Sequence, residues 1–138
     1  MCFLIRATMP GSKARGRKTL AGPVPGTDGR LRWTLSVSRG HPLELVVPGE
    51  ACPCALLGGQ ADSNVSAWTL APEWSPLIAK AMAHLVKGAE TDVLVWATWC
   101  GEPAPNRKVT DLASLTAEIM SSRLMNRTEY LVRFSKRP

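Results

Sequence analysis

The chain has 138 residues, enough for one domain of ordinary size. Its 17 Lys and Arg outnumber 11 Asp and Glu for a formal charge of +6, with 45% apolar and 20% charged residues. That composition excludes a mainly disordered chain, a collagen and a coiled coil, and no apolar run approaches the roughly 18 residues of a membrane-spanning helix.

Residues 2–9 alternate. Phe3, Ile5, Ala7 and Met9 share one face, and Leu4, Arg6 and Thr8 the other, so the segment predicts a strand. Pro10-Gly11 ends it. Residues 10–30 then hold Gly11, Gly16, Gly22, Gly26 and Gly29 among Pro10, Pro23, Pro25 and the basic Lys13, Arg15, Arg17, Lys18 and Arg30. Glycine and proline are the poorest helix formers, so this stretch predicts a long basic loop. Residues 31–37 alternate again, with Leu31, Trp33, Leu35 and Val37 turned to a core and Arg32, Thr34 and Ser36 turned out. A turn over residues 38–42 leads into a short strand at 43–47, and the two read as a hairpin that Pro48-Gly49 stops.

The clearest helix runs from about Pro76 to Lys87. Ser75 suits its N-cap, Pro76 its first position and Gly88 its end. Leu77, Ile78, Ala81, Met82, Leu85 and Val86 make the inward stripe. Residues 92–99 are apolar on both faces, as a central strand is. A second helix is expected over 111–124, capped by Thr110, with Leu112, Leu115, Ile119 and Met120 inward. Residues 128–134 make the last strand. The order predicts one α+β domain over 1–138: a mixed or mainly antiparallel five-stranded sheet with two helices. The nearest variant is a ferredoxin-like arrangement in which the basic loop replaces the first helix.

Arg6 interrupts the opening apolar run, and neither a basic lead nor a small-residue cleavage pattern accompanies it. No secretory signal is expected, and a cytoplasmic setting follows. There, four cysteines read as reduced thiols, a metal site or a reactive thiol rather than disulfides. Asn64-Val65-Ser66 and Asn126-Arg127-Thr128 fit the glycosylation pattern but carry no meaning in that compartment.

Cys2, Cys52, Cys54 and Cys100 are scattered in sequence, and topology decides whether they meet. In a ferredoxin-like sheet the first strand is flanked by the third and fourth, both antiparallel to it. Its beginning, at Cys2, then lies beside the ends that lead to Cys52, Cys54 and Cys100. Four thiolates at one sheet edge suit tetrahedral Zn²⁺ at about 2.3 Å per sulfur, and a closed four-ligand shell makes the ion structural. Cu(I) and iron–sulfur clusters use the same ligands. The alternative is that Cys2 and Cys100 are small buried apolar residues and the central pair a loop feature. If residues 10–30 make only a wide hairpin, the third strand ends at the opposite edge from Cys2 and the shared site fails.

The opening Met1-Cys2-Phe3-Leu4-Ile5-Arg6-Ala7-Thr8-Met9-Pro10, with the later Cys52-Pro53-Cys54, resembles a group of uncharacterised bacterial proteins. These begin with Met-Cys, a short apolar strand and Ala-Thr-Leu-Pro, and carry a Cys-x-Cys-Gly-type element further on. Ala55 stands at the glycine position here. The resemblance implies no activity; it links Cys2 to the later pair. Separately, residues 93–101 (Val-Leu-Val-Trp-Ala-Thr-Trp-Cys-Gly) are similar to the active-site strand of thioredoxin-like proteins. Ala104 falls where the second cysteine is expected, so no resolving thiol follows; the likeness reads first as coincidence in a buried strand, and a one-cysteine thiol enzyme at Cys100 is the alternative.

Charge is uneven. Basic residues dominate 1–39 and the segment after 105, whereas acids dominate between them. Lys13, Arg15, Arg17, Lys18, Arg30 and Arg32 can hold phosphates by counterion release, which makes nucleic acid or an acidic protein a candidate partner class; the alternative is a simply solvated basic loop. Arg6, Arg32 and Arg133 fall on the polar sides of their strands and extend that reading. No aromatic pair of the RNA-recognition type and no helix-turn-helix signal accompanies them. Two histidines without a Ser-His-Asp grouping give no hydrolytic machinery. Three readings follow: a small interaction protein with a structural four-cysteine zinc site and no catalytic activity assigned, a basic binding module, and a thiol enzyme.

Overall fold

A computed structural model describes residues 3–9, 19–37, 39–50, 53–58, 65–99 and 102–134. Among them the chain forms β1 (Phe3–Thr8), β2 (Gly22–Pro23), β3 (Arg32–Leu35), β4 (Leu43–Val46), a 3-10 turn (Pro53–Leu56) and β5 (Ala67–Thr69). Helix α1 (Ser75–Ala89), β6 (Val93–Trp99), β7 (Asn106–Thr110), α2 (Leu112–Met120), β8 (Arg123–Met125) and β9 (Thr128–Val132) complete it.

The main sheet has the order β2-β3-β4-β1-β6-β9-β7, and β5 and β8 form a second, two-stranded sheet. β7 runs parallel to β9, and the other described pairings are antiparallel. The fold is therefore α+β with two helices and a large mixed sheet, of seven strands rather than the expected five. The five expected strands are all present. The additions, β2 and β7, are edge strands: β2 is Gly22-Pro23, and β7 is polar apart from Val109, so neither sequence shows an alternating apolar face.

The opening alternation becomes the sheet's two faces. Phe3, Ile5, Ala7, Trp33, Leu43, Leu45, Val93, Val95, Ala97, Tyr130 and Val132 are buried on one side, beneath α1 and α2. The Trp33 indole N–H donates to Ala81 O at 3.2 Å, which ties β3 to the middle of α1. Burying one such side chain is worth about 1.5–3 kcal/mol, so this face is the main source of stability. On the other face, Leu4, Arg6, Thr8, Glu44, Leu94, Trp96, Glu129 and Leu131 remain half-buried. None of the described helices is long and apolar enough to cross a membrane.

Several local expectations change. Residues 22–31 are built into the sheet. Gly26 and Gly29 take positive φ, Val24 N–H donates to Leu31 O at 2.9 Å, and the buried Thr27 hydroxyl donates to Val24 O at 2.8 Å. The glycines that forbid a helix here enable a tight strand-turn-strand. Val37 is 97% exposed, because β3 ends at Leu35 and Ser36 N–H closes the hairpin on Pro42 O. Ser75 lies inside α1, whose cap is Trp74. Residues 71–75 are already coiled, so the Ser75 hydroxyl turns inward to Ala71 O and Ser122 Oγ. α1 passes Gly88 and closes on Glu90 in the left-handed region. α2 is capped by Asp111 instead of Thr110 and ends at Met120, which is 51% exposed. Ser122 at φ 63° turns the chain out of the helix and into β8.

Candidate functional site

The sheet edge where β1 begins brings three chain segments together. β1 lies between β4 and β6 and is antiparallel to both. Phe3, its first residue, pairs with Trp99, the last residue of β6. After β4 the chain reaches the 3-10 turn Pro53–Leu56, which packs beside β1. β1 and β3 are therefore not paired with each other, and the third predicted strand leaves the sheet where the first enters it.

This edge rests on an apolar floor. The Trp68 ring meets Phe3 edge-on with centroids 5.0 Å apart and stacks on Trp99 at 6.1 Å. The Trp68 indole N–H donates to Ala97 O at 3.2 Å, which fixes the ring under the end of β6. Leu57 pairs with Leu70, and Gly58 N–H donates to Thr69 O at 2.9 Å, so the 3-10 turn is fastened to β5. Cys54 sits in that turn, half-buried against the core, and its carbonyl accepts from Leu57 N–H at 3.1 Å. Cys2, Cys52 and Cys100 lie outside the described residues, although their chain neighbours Phe3, Pro53 and Trp99 lie within them. Among the described residues no cluster of three His, Cys, Asp or Glu side chains is placed to hold a metal.

Thr98 adds a feature that sequence reasoning missed. It pairs with Leu4, is fully buried, and its hydroxyl has no hydrogen-bond partner among the described residues. A buried orphan hydroxyl costs about 1–3 kcal/mol. Its only sequence signal is a hydroxyl in an otherwise apolar central strand, two residues before Cys100.

The basic residues do not form one described patch. Lys13, Arg15, Arg17 and Lys18 lie outside the described residues. The Arg30 guanidinium lies over the Trp74 ring, 4.5 Å from its centroid, at the start of α1. Arg32 is exposed on the outward sheet face, in register with Val46. Arg6 shares that face but is paired with Glu44 at 3.1 Å. Arg133 is exposed just past β9 and lines a shallow hollow with Val86, Lys87, Asp111, Leu112 and Phe134.

The chain matches no protein-family model, no curated protein and no solved structure.

Proposed function

We propose that this is a small interaction protein whose Cys2, Cys52, Cys54 and Cys100 hold a structural Zn²⁺ at the edge where β1 begins. The observation that carries the reading is the antiparallel register of β1 with β6. Phe3 pairs with Trp99 and Leu4 with Thr98; a site shared by Cys2 and Cys100 requires this ladder to run on by one residue. Directly opposed residues in an antiparallel pair have Cα atoms about 4.5–5.5 Å apart, which is short enough for two thiolates to share one ion. Cys52 is one peptide, about 3.8 Å between Cα atoms, from Pro53, and Cys54 is in the turn packed beside β1.

The surroundings also fit thiolates. Phe3, Trp68 and Trp99 pack together beside this edge. The Thr98 hydroxyl is a donor in search of an acceptor, and a metal-bound cysteine sulfur is one; such outer hydrogen bonds orient and tune metal ligands. Four sulfur ligands close the coordination shell, so the ion supports the fold and activates no water. Its role is to clamp the start of β1, the exit of β4 and the exit of β6. The resemblance of residues 1–10 and 52–54 to proteins that pair Met-Cys with a later Cys-x-Cys supports the same grouping.

The test is one cysteine at a time. Cys2→Ser, Cys52→Ser, Cys54→Ser and Cys100→Ser should each lower zinc content and thermal stability by comparable amounts. A variant that retains full zinc occupancy and the unchanged melting temperature removes its cysteine from the ligand set. Retention by all four variants ends the proposal.

A further inference from the structure

The outward face of the sheet carries five side chains in register across five neighbouring strands. They are Glu44 on β4, Arg6 on β1, Trp96 on β6, Glu129 on β9 and Arg107 on β7. Within the chain Arg6 pairs with Glu44 at 3.1 Å and Arg107 with Glu129 at 3.2 Å. Outward from Trp96, the order is positive then negative on one side and negative then positive on the other. The row is antisymmetric in charge about its central indole.

We infer that this face binds a second copy of the chain in a two-fold, face-to-face dimer centred on Trp96. A two-fold axis running along β6 in the plane of contact exchanges the two sides of the row. It sets Arg6 of each copy against Glu129 of the other, Glu44 against Arg107, and Trp96 against Trp96. An axis across the strands instead sets every charge against itself, so the row selects one orientation. Closed two-fold contacts of this kind are self-complementary by construction. Adjacent strands are about 4.8 Å apart, so the row spans about 19 Å, and two twisted sheets pack face to face with strands within about 30°.

Apolar area accompanies the charges. Leu94 pairs with Leu131, which is in register with Val109. Leu94, Trp96 and Leu131 are half-buried in the single chain, and Val109 is 57% exposed. The two ion pairs are already formed within each copy, so their side chains lose little freedom on association. A nucleic acid fits this face less well, because Glu44 and Glu129 would face its phosphates. The inference does not depend on the cysteines.

The decisive test uses pair swaps that keep each internal ion pair. One protein carries Arg6→Glu with Glu44→Arg; the other carries Arg107→Glu with Glu129→Arg. Sedimentation in reducing buffer, which removes intermolecular disulfides, should give the wild-type protein twice the chain mass. Each swapped protein alone presents like charges on both sides of the row, and its dimer should weaken at least about a hundredfold. Mixed together, the two swapped proteins regain full complementarity and should form a one-to-one heterodimer of near wild-type affinity. Circular dichroism and melting of each swapped protein establish that it is folded. A wild-type protein that stays monomeric to hundreds of micromolar, or swaps that leave the dimer unchanged, overturns the inference. So does a monomer that binds a single-stranded oligonucleotide through Trp96 and Arg32.

Discussion

Tyr130 shows how much one side chain can fasten. Its hydroxyl donates to Glu118 Oε1 at 2.7 Å and accepts from Met125 N–H at 2.8 Å, and Lys108 Nζ reaches Glu118 Oε2 at 3.2 Å. One phenol thus joins β9, α2, β8 and β7. Burial is the main cause that pushes its pKa well above the ordinary tyrosine value, with Glu118 adding to the effect. The neutral phenol's contribution is complete below about pH 10, the unfolded value, and fades as pH rises beyond it. Tyr130→Phe should cost about 1–3 kcal/mol at neutral pH, because it leaves Met125 N–H without its acceptor and Glu118 Oε1 without its donor. It should also flatten the alkaline decline in urea-melt stability; an unchanged alkaline limb contradicts this role.

Asp111 is the acidic counterpart. Its carboxylate accepts from Ser114 N–H at 2.7 Å, and hydrogen bonding at this exposed cap holds its pKa below the ordinary value. A lowered folded value stabilises above the unfolded one, near pH 4, and that stabilisation is lost as pH falls. Asp111→Asn keeps an acceptor at the cap. Its melting temperature should match the wild type near neutrality and depend less on pH below about 5.

At the scale of elements, the 3-10 turn is held by backbone contact that a larger residue cannot share. A Cβ at Gly58 would lie 2.9 Å from Leu70 O and 3.1 Å from Ala71 Cα. Gly58→Ala should therefore destabilise by about 1–3 kcal/mol by forcing the turn away from β5. Equal midpoints in denaturant for the two proteins would show that the turn can shift freely.

The same scale explains what sequence could and could not convey. Phe3, Ile5 and Ala7 alternate with polar or half-buried neighbours, so β1 was legible. Ile78, Met82 and Leu85 made α1 legible in the same way. β7 was not: Asn106, Arg107 and Lys108 have no apolar face, and parallel pairing with β9 makes them a strand. The end of α2 was hidden because Leu124 continues the helical stripe. The left-handed Ser122 and the pairing of Leu124 with Trp68 carry it into β8 instead. In the candidate site the cysteines were visible, whereas the Trp68 floor and the orphan Thr98 hydroxyl arise from tertiary contacts that no local pattern contains.

At the scale of the whole molecule, one topological choice governs the functional reading. Local patterns allowed β1 to pair either with β3 across a wide hairpin or with β4 and β6. The second arrangement is found, and it directs the beginning of β1 and the ends of its two neighbours to one edge. A metal that joins those three segments stabilises the native state by mass action. With free zinc a thousandfold above its dissociation constant, the contribution is about 4 kcal/mol. Chelation should therefore lower the melting temperature, and readdition of zinc should restore it. An identical melt with and without chelator contradicts a structural ion.

The most direct measurement is elemental analysis of protein purified under reducing conditions, paired with thiol titration of the native and the chelated, unfolded protein. The account predicts close to one zinc per chain and four thiols that react only after the ion is removed. A folded protein free of metal, with all four thiols open to the reagent, would contradict it.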